Sequence, residues 1–461
     1  MFLSRQSSSS RKTKNLTFLI FSARRFFCYN LKVITNFKEL ATTPLREKAL
    51  KIINAAYDGI DIKKLTTERI CLIGDELHIL ENKYNLKEYF RVFIVGFGKG
   101  SADLAFSLGK ILSWRLSDGI VLDVRKPAIP WFETIPNIEF LVGSHPLPSS
   151  KNIAAATKIE KLVDNLTRRD LLIVLICGGG SILSCSSFQE MSDLIFTDEI
   201  LTRAAAPIEK INLVRKHFGL FKGGNLAHLA YPAKVVSLIV NDVPSEDLSL
   251  VASGLTFKDL STKKDAATIL MDYGLNPFRF NLLETPKDDM FFSNVDNLLF
   301  SSNRDAVSLM KKEAVNEEFK VKVETLNLTG EAKDSLSKIY SSINSGEAII
   351  ASGETTVKIK KYFGKGGRNQ EAVLGFLKSI KNTGEKNFLV ASFTSDARDN
   401  SEAAGAIGDE EVLKKSAKLN LSLKTFLDDH DSFDFFSRTG DLLYASDSSF
   451  NVSDLMLLLK E

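Results

Sequence analysis

The sequence predicts a doubly wound α/β fold, in which helices cover both faces of a largely parallel sheet. Short apolar runs alternate with amphipathic stretches through most of the 461 residues, which is the order strand, helix, strand. Glycine-rich loops follow apolar runs at 96–100, 178–180 and 364–367. At about 150 residues per domain, the length predicts two or three domains.

The strands are predicted from their apolar content. The run 171–177 is short and fully apolar, as a central parallel strand should be. The segment 99–112 is predicted as a helix. The segment 275–300 lacks clear periodicity and contains Pro277 and Pro286, so we predict a loop or linker there and a domain boundary after it. The predicted strands are 91–96, 119–123, 171–177, 234–241, 347–352 and 387–392.

The charge is unevenly distributed along the chain. The first 38 residues contain eight Lys and Arg and no acidic residue, whereas the rest has 52 basic and 57 acidic side chains. A basic, Ser-rich, acid-poor leader predicts a mitochondrial transit peptide. The apolar run 16–21 is too short for a secretory signal, and a tail with no address, leaving the protein cytoplasmic, is the alternative.

The remaining composition excludes several classes of protein. The slightly acidic body does not predict a nucleic-acid-binding face. No apolar run approaches the ~18 residues of a membrane span. The four cysteines and five histidines show no Cys-x-x-Cys or His-Glu-x-x-His spacing, which argues against a disulfide framework or a zinc site.

The first two glycine loops are candidate anion sites. The loop at 96–100 is neither a P-loop nor a perfect dinucleotide fingerprint. Its glycines, Gly98 among them, still allow backbone amides to approach an anion, and Lys99 adds a positive charge. The consecutive Gly178, Gly179 and Gly180, followed by Ser181, predict a cradle for phosphate or carboxylate. For both loops a tight turn without a ligand is the alternative.

The third loop places two positive charges among glycines before a helix that is predicted to begin at Asn369. Gly366, Gly367 and Asn369 would supply the anion-binding backbone, and Arg368 can form two parallel hydrogen bonds to a carboxylate or phosphoryl group. A solvated turn is again the alternative.

Acidic residues stand where predicted strands end. Asp242, Glu354, Asp396 and Asp399 each follow an apolar run. A carboxylate at the carboxyl end of a parallel strand points into the ligand-binding crevice. Beside phosphate loops, such groups hold Mg²⁺ or orient a hydroxyl; taken singly, each is more often an N-cap or loop residue. Anion cradles, two cations and strand-end carboxylates together indicate phosphoryl transfer.

The motifs occur in an order that resembles the glycerate kinase family with a C-terminal MOFRL-type domain. The resemblance extends over about residues 42–458 and implies two α/β domains with the active site in the cleft between them. It implies phosphorylation of D-glycerate by ATP, to 2-phosphoglycerate as in the animal-type members. The motifs are 95–100, 144–148, 177–181, 222–227, 241–242, 252–254, 353–357, 366–371, 395–396 and 403–405.

On this basis we predict a leader at 1–38, a Rossmann-like domain at 40–300, a connection at 301–345 and a smaller α/β domain at 346–461. The resemblance implies that Lys99 and Arg368 are important for activity. From the chemistry alone we add Asp242 as a catalytic group and Asp396, Glu354 and Asp399 as Mg²⁺ ligands.

The loop 395–401 departs from the family pattern. It is one residue shorter, and Ala397 and Asn400 replace glycines; if those positions need a positive φ, Ala397 costs about 1 kcal/mol or more, whereas Asn400 tolerates it. A catalytically impaired nucleotide binder is therefore one alternative. A hydroxypyruvate reductase is another, with Asp123 as the ribose ligand. The oligomeric state and the general base stay open.

Overall fold

The computed structural model describes residues 33–127, 135–204, 206–243, 245–359, 364–446 and 450–461. The predicted leader lies outside these residues as far as position 32. Residues 34–461 form one compact unit. Ile34, inside the predicted leader, pairs with Ala445 through an isolated bridge and is 1% exposed, so the folded body begins before residue 38.

The described part of this unit contains two six-stranded sheets, called the first and the second sheet in chain order, and a small antiparallel sheet made of the first three strands. The strands, in chain order, are β1 (Ile70–Ile73), β2 (Glu76–Ile79), β3 (Asn82–Asn85), β4 (Arg91–Phe97), β5 (Leu116–Asp123), β6 (Glu139–Val142), β7 (Asp170–Ile176), β8 (Lys234–Val240), β9 (Val295–Ser301), β10 (Lys320–Leu328), β11 (Glu347–Gly353), β12 (Phe388–Thr394), β13 (Gly405–Asp409), β14 (Leu442–Leu443) and β15 (Asp454–Lys460).

The helices cover the sheets with their apolar faces. Half of those described begin with a Ser, Thr or Asp whose side chain accepts a backbone N–H of the first turn, as for Thr43 and Ser149, which is the usual N-cap chemistry. They are α1 (Phe37–Leu40), α2 (Pro44–Gly59), α3 (Ile62–Arg69), α4 (Ser101–Leu112), α5 (Ser150–Asp164), α6 (Gly180–Leu183), α7 (Phe188–Arg203), α8 (Ile208–Lys216), α9 (Asn225–Ala230), α10 (Lys263–Asp272), α11 (Asn303–Asn316), α12 (Ala332–Tyr340), α13 (Arg368–Ile380), α14 (Glu410–Lys418), α15 (Leu423–Asp428) and α16 (Ser432–Thr439).

The first sheet confirms the Rossmann-like prediction. Among the described residues its order is β6-β5-β4-β7-β8-β9, and every neighbouring pair is parallel. This is the doubly wound order, which reverses between β4 and β7, and ligands bind outside the carboxyl ends of the strands at that point. The loops at 96–100 and 177–180 follow these two strands.

The prediction of a loop at 275–300 was wrong in its last part. Strand β9 begins at Val295 and is the edge strand of the first sheet. Its first five residues are only partly buried or exposed. An edge strand that is half covered carries a weaker apolar signal than a central one, and this is why the pattern was not recognised.

The second sheet is mixed, so the prediction of largely parallel sheets holds only for the first. Its order is β10-β11-β15-β12-β13-β14, and β15 is antiparallel to both β11 and β12. The apolar residues 455–459 are buried and make β15 a central strand. Because β15 lies between β11 and β12, these two strands point the same way and end at one edge of the sheet.

The predicted domain boundaries remain a prediction. Strand β10 lies within 301–345 but belongs to the second sheet, and α2 packs against α11 and reaches the second sheet, where Tyr57 Oη donates a hydrogen bond to the carbonyl of Thr394 at 2.9 Å. In the described part of the chain, no helix is both long and apolar enough to cross a membrane.

Candidate active site

The first two glycine loops meet at the point where the strand order reverses. Gly98 has φ +116°, and a methyl group on it would lie 2.3 Å from the carbonyl oxygen of Cys177, so only glycine fits. The backbone N–H of Lys99 donates to the carbonyl of Gly178 at 2.8 Å. The loops therefore support each other, and the Lys99 side chain projects from the junction.

In the loop 178–180 the glycines allow the side chains of Asp242 and His145 to lie close to the backbone. A methyl group on Gly178 would lie 2.5 Å from Oδ2 of Asp242, and one on Gly179 would lie 3.0 Å from Cδ2 of His145. The backbone N–H groups of Gly179 and Ser181 have no acceptor within the described part of the chain. Free amides at a helix start are the groups that bind phosphate.

The Ser181 side chain is used inside the protein. Its hydroxyl lies 2.7 Å from that of Ser253, in a buried pair. Ser253 follows Ala252 in a short left-handed stretch, with φ of +57° and +51°. Ala252 packs over Gly180, whose added methyl would lie 2.7 Å from its Cβ. Ser181 therefore orders the loop, and the backbone N–H groups are the part left for a ligand.

Lys99 connects the two halves of the site. Its Nζ lies 3.1 Å from Oδ2 of Asp396, which follows β12 of the second sheet. Burial raises the pKa of Asp242 to about 7, and the charge of Glu354 adds to this while Lys99 opposes it. The predicted catalytic groups Lys99 and Asp242 and the predicted metal ligands Asp396 and Glu354 are thus brought together.

Arg368 forms the second charged centre. Its Nε donates to Oδ2 of Asp454 at 2.5 Å, and one terminal nitrogen reaches Oδ1 of Asp454 at 3.2 Å and Oε1 of Glu354 at 2.8 Å. Burial opposes the charged form of Arg368, but the two carboxylates outweigh it and raise the pKa of the guanidinium above its ordinary value. Arg368 therefore stays charged.

The third glycine loop is occupied by a carboxylate of the protein. Asp399 accepts hydrogen bonds from the backbone N–H groups of Asn369 at 3.2 Å and Gln370 at 2.9 Å, and from Nδ2 of Asn369 at 3.1 Å. A methyl group on Gly367 would lie 2.2 Å from Cγ of Asp399, and Gly366 has φ +149°. These residues cap α13, so the groups predicted to bind phosphate or metal here are bonded to one another.

Asp123 has the same role at α4. It accepts the backbone N–H groups of Gly100 at 2.9 Å and Ala102 at 3.0 Å with one oxygen, and that of Val124 with the other. Burial raises the pKa of Asp123 to about 6. Its carboxylate sits where a dinucleotide fingerprint would place the pyrophosphate, at the N-terminus of the helix.

Sequence reasoning missed two groups at this site. The first is Asp454, which is the first residue of β15. From the sequence, only acidic residues at the carboxyl ends of strands were considered. Because β15 is antiparallel to β11 and β12, its N-terminus lies at the edge of the sheet where those two strands end. An acidic residue directly before the apolar run 455–459 is the signal that was available. His145 lay within a recognised motif to which no role was assigned.

The structure defines an α/β protein in which a glycine loop with free backbone amides and a set of paired charges meet between two sheets. Comparison with protein families identifies it further. The model of the domain of unknown function DUF4147 matches residues 48–282, and the model of the MOFRL family matches residues 347–454. A glycerate 2-kinase that is 30% identical over 92% of this chain shows that the chain belongs to the glycerate kinase family.

Relatives and solved structures extend over most of the chain. Glycerate 2-kinase of Picrophilus torridus is 30% identical, over 92% of this chain and 99% of that protein. The crystal structure of glycerate kinase from Thermotoga maritima is similar with a TM-score of 0.77 and 27% identity, over 90% of this chain and 99% of that one. A relative from Agrobacterium vitis, 32% identical over 80% of this chain and 87% of that protein, carries a hydroxypyruvate reductase name.

Proposed function

We propose that this chain transfers the γ-phosphoryl group of ATP to D-glycerate and forms 2-phosphoglycerate. The observation that carries the proposal is the meeting of the free amides of Gly179 and Ser181 with the ion pairs of Lys99 and Arg368. Phosphoryl transfer requires little beyond positioning and neutralisation of charge. The name of the Picrophilus relative supports both the substrate and the position of the phosphate.

Each cation has a task suited to its geometry. Lys99 is paired with Asp396, and Arg368 is paired with Glu354 and Asp454. An anionic substrate competes for these cations. One of them neutralises charge on the transferring phosphoryl group and the other pairs with the glycerate carboxylate, for which the planar fork of Arg368 is well shaped.

The residues also fit Mg²⁺ bound together with the nucleotide. No group of three or more His, Cys, Asp or Glu in the described part of the chain is arranged to hold a metal alone. Mg²⁺ is commonly held by one or two carboxylates together with substrate phosphates and water. Asp242, beside Gly178, and Asp396 offer such oxygens. When bound, Mg²⁺ neutralises charge on the phosphate oxygens.

The structure supports the kinase over the dinucleotide-dependent alternative. Asp123 already accepts hydrogen bonds from the backbone N–H groups of Gly100 and Ala102. The pyrophosphate of a dinucleotide at this helix start would be repelled by the negative charge of Asp123. In the altered loop Ala397 and Asn400 have φ of +64° and +48°, in the left-handed region that glycine adopts most easily. The strain is therefore local to Ala397, because asparagine tolerates this conformation, and both Asp396 and Asp399 remain.

We also propose that the protein is imported into mitochondria, on the composition of the leader. Because Ile34 packs against the body, cleavage is expected before residue 34. Fusion of residues 1–40 to a fluorescent reporter tests the address, and a diffuse cytosolic signal would count against it.

A coupled assay with D-glycerate and Mg-ATP tests the activity, and chromatography of the product identifies the isomer. Lys99→Ala and Arg368→Ala should each lower turnover by orders of magnitude. The exposed Lys63 and Arg168 provide matched controls, because their alanine variants remove the same charges away from the cleft. Oxidation of NADH by hydroxypyruvate, without phosphorylation of glycerate, would instead favour the reductase.

A further inference from the structure

His145 is a titratable group in the cleft that the proposed function has not used. Its imidazole edge, Cδ2 and Nε2, faces the place where a methyl group on Gly179 would stand, at 3.0 and 3.1 Å. Within the described residues nothing forms a hydrogen bond or ion pair with this ring. Gly179 adopts φ +79°, so both its backbone conformation and the lack of room for a side chain favour glycine at this position. The ring lies directly beside the proposed phosphate-binding loop.

The loop that carries His145 is fixed to that cradle. Asn152, which is fully buried, accepts the backbone N–H of Ser144 at 2.9 Å, and its Nδ2 donates to the carbonyls of Ser144 and Ile182, both at 3.1 Å. Ile182 belongs to α6, directly after the glycine loop. The Asn152 side chain therefore fixes the loop that carries His145 to the helix that follows the glycine loop. His145 is held in place through its backbone, without a hydrogen bond to its ring.

The carboxylates of the site already have other partners. Asp396 pairs with Lys99, Glu354 and Asp454 pair with Arg368, and Asp399 caps α13. Asp242 is assigned to Mg²⁺ in the proposed function. Among the described residues of the cleft, His145 is therefore the group next to the glycine loop that has a nitrogen lone pair available to accept a proton.

The electrostatic surroundings keep this lone pair available. Burial lowers the pKa of His145 to about 4, the positive charges of Lys99 and Arg215 add to this, and Asp396 opposes it. The imidazole is therefore neutral over the physiological range. The ring therefore needs to lose no proton before it acts as a base, and the negative charge of phosphates bound beside it would raise its low pKa and so favour uptake of a proton.

We infer that Nε2 of His145 accepts the proton of the glycerate hydroxyl as that oxygen attacks the γ-phosphorus. This rests on the proposed function. The oxygen–phosphorus bond to glycerate forms while the bond from the γ-phosphorus to the β,γ-bridging oxygen breaks, and ADP leaves with that electron pair. The proton moves to Nε2, and the resulting imidazolium returns it to water after the product leaves.

The test compares His145→Gln and His145→Gly with the wild type. Both variants should lower kcat by about 10²-fold or more, the usual contribution of a positioned base, with the KM for ATP little changed. The deficit should shrink at alkaline pH, where hydroxide takes the proton, and added imidazole should restore part of the rate of His145→Gly. His228→Gln, at an exposed histidine of the same domain, should behave as the wild type.

The outcomes separate this inference from the proposed function. If the wild type does not phosphorylate glycerate, the proposed function fails. If the wild type is active and His145→Gln turns over at the wild-type rate, the inference fails. It also fails if the deficit is the same at every pH and imidazole gives no rescue, because His145 would then be structural. If the kcat of Asp242→Asn approaches that of the wild type at alkaline pH and the kcat of His145→Gln does not, the proton acceptor is Asp242 and the inference fails.

Discussion

Arg46 offers the sharpest test of how the first residues of the body are tied to the second sheet. It lies on α2 and is fully buried. Its guanidinium donates two hydrogen bonds to Asp409, at 2.6 and 2.8 Å, and one to Asp441, at 2.8 Å. Lys415 also reaches Asp441 at 2.8 Å. Arg46→Met retains much of the volume and removes the charge.

The size of the effect follows from which carboxylate loses its cation. Asp441 keeps Lys415, whereas Asp409 is left buried without a counter-ion. Neutralising an aspartate of ordinary pKa 3.9 at pH 7 costs about 4 kcal/mol, at about 1.4 kcal/mol for each pKa unit. Breaking a buried ion pair by removing one partner costs about 3–5 kcal/mol. We therefore expect Arg46→Met to lower the free energy of unfolding by about 3–4 kcal/mol.

Urea unfolding followed by circular dichroism measures this loss. In an Asp409→Asn background the effect of Arg46→Met should be much smaller. A loss below 1 kcal/mol, or an equally large loss in the Asp409→Asn background, would refute the reasoning.

Three further changes test the loops. Ala397→Gly should raise the free energy of unfolding by about 0.5–1 kcal/mol, measured in urea, because it relieves φ +64°. Gly178→Ala should lower kcat/KM by about 10²-fold in the coupled assay, because its methyl would lie 2.5 Å from Asp242. His145→Gln should make unfolding less acid-sensitive: with a pKa of about 4, the wild type loses up to about 3 kcal/mol as the pH falls from 6.5 to 4, and the variant does not.

Each of these changes has a contrasting control. Asn400→Gly should gain less stability than Ala397→Gly, because asparagine tolerates its positive φ; an equal gain would mean that strain at Ala397 is not the cause. Gly74→Ala has open space around it, so it should leave kcat/KM unchanged. If His145→Gln loses stability in acid as steeply as the wild type, the ring is not held neutral.

The fold was predictable where strands are central and parallel. Strands β4, β7 and β8 are apolar along most of their length, and the predicted bounds differ from the observed ones by one residue or two. Strand β15 was not recognised, although its apolar run is as strong. Its position between β11 and β12 depends on a pairing over about a hundred residues of sequence, which periodicity does not reveal.

The site was predictable where charge and glycine content decide it. Lys99, Arg368 and Asp242 were found from loops and strand ends, and the structure brings them to one cleft. The partners of Arg368 were only half found, because Asp454 begins an antiparallel strand. Whether a glycine loop faces a ligand or a carboxylate of the protein depends on tertiary contacts that the local sequence does not specify.

The three glycine loops differ in whether their amides bind a carboxylate of the protein or stay free for a ligand. At α4 and α13 the N-terminal amides are satisfied by Asp123 and Asp399, so the glycines there admit an internal anion. At 178–180 no carboxylate plays this part in the described structure, and the amides of Gly179 and Ser181 are open. The same backbone geometry is thus capped by the protein's own carboxylates at two helices, and at the third it leaves free amides. We therefore expect the nucleotide phosphates at Gly179, between Lys99 and His145.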